Sequence, residues 1–409
     1  MENTMVTSQQ FRLNNSEHKV TNAAKEFGQQ QISDAFYRKQ VLKKGAPELA
    51  LNTICPYYTM FPLSFPYSRL RKAEKDARVI DPFCGRGTTL FAARLLGLSA
   101  VGIDSNPMAA AISAAKLLSV EAAAVTAVAA KIIERSEVPF EMPEGLFWEQ
   151  CYHQETLRDI CKIRESLLRS CSTPEEVMLR ALMLGVLHGP IRKGSPSYLS
   201  NQMPRTYAMK PEPAVRYWTK KGMNVPKYID VLETIRKRAN YSLKSLPGAV
   251  KGAIYCGDSR QADQILKREN KFSWVITSPP YFGMRSYLSD QWLRNWFLGG
   301  TDSVDYCREG QLTHVRELFV KDLAAVWRSI ARVCHPGTKM IVRFGSISSE
   351  TVDACEVFRM SLKMADAGWK LTTRKDAGTA SLGNRQSEQF KCGSSNAAPE
   401  YDFYARLEV

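Results

Sequence analysis

The sequence predicts an α/β fold: a doubly wound, mostly parallel sheet with an antiparallel closing hairpin and a helical insertion. Three observations predict it. "ARVIDPFCGRGTTLFAARLLGLSAVGIDSNPMAAAISAAKLL" reads as strand, glycine turn, helix, strand, turn, helix, which is half of such a sheet. After a long interruption, "GAIYCGDSR" and "SWVITSPPY" resume the strand pattern. "GTKMIVRFG", "GWKLTTRKDAG" and "EYDFYARLEV" then read as three more strands, the last two a closing pair.

Residues 1–53 read as a tail and a helix. The first twenty have no apolar stretch, and a helical pattern over 21–50 is broken by Pro47. "ICPYYTMFPLSFP", Ile54 to Pro66, is aromatic and Pro-rich and reads as a loop. Val79 and Ile80 end the first strand, and Gly85 and Gly87 make the turn. Thr88 to Leu96 is a helix that Gly97 stops, and "SAVGID" is a second buried strand ending on Asp104. Residues 54–119 are thus the first half of the core. The insertion spans 120–249. In it, "EEVMLRALMLGVLHG" is a helix with Pro174 in its first turn, and "PKYIDVLETIRKRAN" is another. Residues 250–409 complete the core, with a long helix from Leu312 to Cys334 and a strand entered through Pro336 and Gly337. "QWLRNWFLGG" is an aromatic helix expected in the core, with Arg285 and Arg294 as candidate phosphate contacts.

A chain of 409 residues with 44% hydrophobic and 10% aromatic content is globular. It has no apolar run of about 18 residues, so no membrane span is expected and the chain reads as cytoplasmic. Ten cysteines without a C-x-x-C pair and five histidines without ligand spacing argue against a metal and for reduced, buried thiols. The net charge of +15 points to a polyanionic partner. From His188 to Asn240, eleven Lys or Arg face three Asp or Glu, a net +8 and more than half of that excess. Tyr198, Tyr207, Tyr217 and Trp218 interleave as stacking surfaces. The aperiodic "PIRKGSPSYLSNQMPRTYAMKPEP", with Arg192, Lys193, Arg205 and Lys210, reads as a nucleic-acid-binding loop.

Three acids end three successive strands: Asp81, Asp104 and Asp258. A pyrophosphate would be repelled by Asp81, and a dinucleotide turn would have glycine where this one has Leu90. A cationic ligand with a diol fits better. S-adenosylmethionine has an ammonium, a sulfonium, a ribose diol, an adenine and no phosphate.

"DPFCGRGT", "GIDSNP", "CGDSR" and "TSPPY" resemble motifs of the DNA amino-methyltransferases, which methylate cytosine-N4 or adenine-N6, and "PYYTMFP" is similar to their cofactor-loop motif. The resemblance covers about residues 54–118 and 250–409. It implies a class I methyltransferase (Rossmann-like) fold and S-adenosylmethionine as cofactor. Asp81 would face the methionine ammonium, and the turn of Pro82, Phe83, Cys84, Gly85, Gly87 and Thr88 would wrap the methionine part. Asp104 would take the ribose, Asp258 would sit near the adenine amine, Ser105 and Ser259 would be further cofactor contacts, and Phe61 would line the pocket. It further implies that the Ser278, Pro279, Pro280, Tyr281 loop holds a base flipped out of double-stranded DNA. There Ser278 Oγ and the Pro279 carbonyl accept from its amine while Tyr281 stacks on its ring.

Cytosine-N4 is the favoured target, because adenine enzymes of this family more often carry Asp or Asn in place of Ser278. A cytosine-C5 enzyme would need a cysteine after proline in this loop, and there is none. The remaining alternatives are adenine-N6 methylation, RNA base methylation, and a DNA-binding regulator that retains the fold. The resemblance suggests a prokaryotic or phage setting near the nucleoid, with a cognate restriction or defence partner. One departure stands out: the insertion falls between the second and third cofactor motifs, where the family does not usually place its recognition domain.

Overall fold

The computed structural model describes residues 45–57, 61–135, 139, 141–190, 198–203, 208–223, 225–266, 271–282, 291–304, 312, 315–345, 353–379 and 399–408. Its centre is a seven-stranded sheet built from β1 (Arg78–Asp81), β2 (Ser99–Asp104), β3 (Gly252–Cys256), β4 (Phe272–Thr277), β5 (Cys334–Gly345), β6 (Trp369–Thr379) and β7 (Pro399–Leu407), in the order β3-β2-β1-β4-β5-β7-β6. All pairs are parallel except those made by β7, which runs antiparallel to both β5 and β6. This order with one reversed strand is the class I methyltransferase fold. Chain order reverses between β1 and β4, so the crevice for a ligand opens at the carboxyl ends of those two strands.

Alternation along the strands feeds two cores. Val79, Trp274, Ile276 and Ile341 point to one apolar cluster, and Ile80, Val275, Met340, Val342 and Phe403 to the other. The first cluster is covered by α1 (Ser64–Leu70), α2 (Thr88–Leu95) and α3 (Pro107–Ala115), and it continues into the insertion. There α4 (Ala122–Arg135), α5 (Leu146–Cys151), α6 (Gln154–Arg169), α7 (Pro174–Val186), α8 (Pro211–Lys221) and α9 (Val231–Leu243) contribute Val125, Trp148, Ile160, Leu182, Trp218 and Ile235 to the same core. The insertion therefore shares one core with the sheet. The second cluster is closed by α10 (Ala262–Ile265), α12 (Arg316–Arg332) and α13 (Ala354–Ala365), while α11 (Trp292–Phe297) joins the first.

Helix α7 shows how sequence dictates this packing. Thr173 caps it: its Oγ1 accepts from Glu176 N at 3.2 Å, and Glu176 Oε2 accepts from Thr173 N at 3.0 Å. Every residue from Val177 to Val186 is buried, so the helix is enclosed on all sides. A Cβ on Gly185 would lie 2.0 Å from the Ile54 carbonyl oxygen. Only glycine lets α7 approach the Pro47–Thr53 turn so closely.

Some expectations change. "SFP" ends no loop; it opens α1, because Pro66 occupies the first turn, where an amide has no helical acceptor anyway. Pro47 begins a 3-10 turn rather than breaking a helix, and the pattern over 21–44 lies outside the described residues. The long helix is shorter than the span Leu312 to Cys334, since β5 already begins at Cys334. Helix α13 is not among the elements expected from the sequence. Its signal was present: Asp353 accepts from Cys355 N at 2.8 Å as N-cap, and Val357, Phe358, Ser361, Leu362 and Ala365 recur at helical spacing.

Candidate functional site

The carboxyl ends of β1, β2 and β4 converge on one turn. Gly85 and Gly87 have φ of 50° and 76°, and Gly87 caps α2 in the left-handed region. A Cβ on Gly87 would meet Ser113 Oγ at 2.8 Å, and that hydroxyl donates to Gly85 O at 2.7 Å. Helix α3 therefore pins the turn from below. Cys84 and Thr88 are buried beside it, and Phe83 meets Trp327 edge-on at 6.3 Å.

Asp81 is 1% exposed. Its Oδ1 accepts from Phe83 N at 3.1 Å and from Thr277 Oγ1, at the end of the neighbouring strand. Its Oδ2 is buried without a hydrogen-bond partner among the described residues. Burial pushes its carboxyl up to about 6. An unpartnered carboxylate oxygen costs about 1–3 kcal/mol, and a cation bound there would recover it. Asp104 Oδ2 accepts from Gly85 N at 2.8 Å and Oδ1 from Asn106 N at 2.9 Å. The packed crevice wall withdraws water from this carboxyl and pushes it, too, up to about 6. Ser105 beside it is exposed.

Asp258 is already engaged. Both its oxygens accept from Arg260, at 2.6–3.0 Å, and Arg260 also reaches Asp322 at 2.7 Å. Ser259 Oγ donates to the Pro82 carbonyl, which ties the end of β3 to the β1 turn. Phe61 is buried and packs on Phe65 with ring centroids 5.0 Å apart. A residue outside the expected set, Tyr57, stands over the glycine turn: its Cε1 is 3.7 Å from where a Gly85 Cβ would be. The signal was there, since Tyr57 belongs to the same "PYYTMFP" motif as Phe61.

Ser278, Pro279, Pro280 and Tyr281 leave β4 immediately after Thr277, beside Asp81. Ser278, Pro280 and Tyr281 are partly exposed and Pro279 is buried. Tyr281 Oη donates to Glu400 Oε1 at 2.7 Å, and its ring meets Phe344 edge-on at 5.8 Å.

Among the expected nucleic-acid contacts, Arg192, Lys193, Arg205, Tyr207 and Arg285 lie outside the described residues. Lys210 is half-buried at the start of α8. Two stacking candidates are corrected. Tyr198 is buried, filling the space above Gly189, where an added Cβ would meet its ring at 2.3 Å, with the Arg238 guanidinium 5.5 Å over the ring. Trp218 is buried and donates Nε1 to Gln202 O at 2.7 Å. Their aromatic surface goes to the core because the insertion packs as one body with the sheet. Arg294 is corrected likewise: fully buried, it donates Nε to Leu184 O and Nη1 to Gln291 Oε1, both at 2.7 Å. Exposed cations in this segment remain on α8 and α9, including Arg216, Lys220, Lys221, Arg236 and Lys237. No group of His, Cys, Asp and Glu among the described residues could hold a metal ion, and no described helix is long and apolar enough to cross a membrane.

Residues 6–115 match a family described as DNA methylase. No curated protein matches the chain. Among solved structures, it is similar to the rRNA methyltransferase aviRa from Streptomyces viridochromogenes at 15% identity, covering 91% of this chain and 96% of that one with a TM-score of 0.34. TrmN from Thermus thermophilus is 8% identical, with 85% of this chain and 49% of that one covered and a TM-score of 0.32. A SAM-dependent methyltransferase from Methanosarcina mazei is 9% identical, with 86% and 99% covered and a TM-score of 0.31.

Proposed function

We propose that this chain, whose residues 6–115 match the DNA methylase family, transfers a methyl group from S-adenosylmethionine to an exocyclic amine of a base in double-stranded DNA, with cytosine-N4 the favoured target. One observation carries the proposal. The unpartnered Asp81 Oδ2 lies at the switch point, and the same carboxylate is bonded to Thr277, the residue before Ser278. A site for a cation and a loop for a base are thereby joined through one carboxylate.

The residues fit the cofactor. Asp81 would hold its ammonium, the Phe83–Gly87 turn its methionine part and Asp104 its ribose hydroxyls. Asp258, whose oxygens are taken up by Arg260, would sit beside the adenine without offering it a free carboxylate. When bound, S-adenosylmethionine supplies an electrophilic methyl group on a sulfonium. The chain supplies position. An aromatic amine has its lone pair delocalised into the ring, so it is a poor nucleophile. Ser278 Oγ and the Pro279 carbonyl, both accepting from that amine, would draw its hydrogens out of plane and restore a lone pair. Pro279 has no amide hydrogen to compete for its surroundings. Tyr281 would stack on the base, offsetting part of the few kcal/mol needed to extrude it. Residues 188–240 would hold the phosphate backbone within a target-recognition segment spanning about residues 120–249.

The test is incubation with isotopically labelled cofactor and mixed-sequence duplex DNA, followed by mass spectrometry of the nucleosides. Label on the cytosine amine is expected. Label on adenine would redirect the target, label on RNA alone would overturn the substrate, and cofactor binding without transfer would leave a DNA-binding regulator.

A further inference from the structure

We infer that Glu400 is the positioning residue that fixes the plane of the Tyr281 ring against the substrate base, an inference that rests on the function proposed above. Tyr281 stands four residues beyond the last residue of β4, and a loop alone leaves an aromatic ring free to turn away. Here its surroundings among the described residues restrain it. Its hydroxyl donates to Glu400 Oε1 at 2.7 Å. Phe344 meets the ring edge-on. Gly345 offers no side chain: a Cβ there would lie 3.2 Å from Tyr281 Cε2 and 2.9 Å from Pro399 O.

Glu400 itself cannot wander. It is 2% exposed and is paired in register with Gly345 of β5 on one side and Gly378 of β6 on the other. The rigid antiparallel hairpin, rather than the loop, thus sets where the tyrosine hydroxyl sits. Burying a carboxylate is costly, and a ring with only a packing role would not require one at its hydroxyl. The carboxylate also raises electron density on the phenol ring. That favours the positive charge which develops on an amine as it is methylated. Glu400 acts through Tyr281 and touches no substrate.

The experiment is a double-mutant cycle in the full-length chain: wild type, Tyr281→Phe, Glu400→Gln and the double variant, each assayed for methyl transfer to duplex plasmid DNA. Thermal stability and affinity for S-adenosylmethionine are measured alongside. Each single variant should lose about three- to ten-fold in kcat/KM for DNA at unchanged cofactor affinity, and the double variant should be no worse than Tyr281→Phe. Glu400→Gln keeps the volume, removes the charge and replaces one acceptor oxygen by an NH2 that cannot accept from the hydroxyl, so folding should survive while the bond to Tyr281 is weakened. Losses that multiply in the double variant, or a Glu400→Gln loss matched by a fall in stability or cofactor affinity, would overturn the role of Glu400. A wild type that methylates no DNA would instead overturn the proposed function.

Discussion

Thr277 Oγ1 donates to Asp81 Oδ1 across two neighbouring strands, joining residues 196 positions apart in the chain. Thr277 precedes the Ser278–Tyr281 loop and Asp81 precedes the glycine turn. Anything that moves one end of this bond is felt at both candidate sites. The unused Oδ2 of the same carboxylate leads to the first prediction.

Asp81→Asn keeps the size and removes the charge. We expect about ten- to a hundred-fold weaker binding of S-adenosylmethionine, equivalent to about 1–3 kcal/mol. Asp104→Ala should fall in the same range, since it removes the proposed acceptor for the ribose and also frees Gly85 N. Calorimetric titration measures both. Unchanged affinity in the two variants would remove the proposed cofactor site.

Cofactor affinity should depend on pH with a defined sign. Burial holds Asp81 and Asp104 up at about 6 in the ligand-free chain. The stability these groups contribute is therefore full below their unfolded values near pH 4 and is lost as pH rises through about 6. A bound cation acts the other way, because only the ionised Asp81 holds an ammonium. Affinity should rise about ten-fold between about pH 5 and pH 7 and then level off. A flat profile across that range would mean that Asp81 does not face the cation.

The basic segment should announce itself through salt. Neutralising Arg192, Lys193 and Arg205 together should lower the slope of log affinity for DNA against log salt by about two to three, with cofactor binding untouched. Fluorescence anisotropy over a salt series gives the slope. An unaltered slope would make the segment a solvated face.

Gly185→Ala tests the shared core. A Cβ there meets the Ile54 carbonyl at 2.0 Å, and backbone has nowhere to retreat inside a helix enclosed on all sides. We expect a loss of about 1–3 kcal/mol on denaturant unfolding in a single transition. Two separate transitions would show that the insertion folds apart from the sheet.

Local chemistry made much of this protein legible in its sequence. Gly85, Gly87 and the acids Asp81 and Asp104 lie within one short stretch, so the turn, the strands and their charged ends follow from spacing. The Ser278–Tyr281 loop stands out because a hydroxyl, two prolines and an aromatic directly follow a β-rich run. Three things depended on tertiary structure. Glu400 enters the site only through the antiparallel pairing of β5 with β7, which no local pattern announces. Tyr198, Trp218 and Arg294 look like surface groups in sequence, yet the insertion closes over the sheet and buries them. Asp258 reads as a free acid, yet Arg260 takes both its oxygens and is itself held by Asp322 of the distant α12. The sequence by itself determined which residues can bind, accept and stack. Which of them lie at the crevice and which are buried in the core was decided by long-range packing, because burial belongs to pairs of distant segments and has no local period.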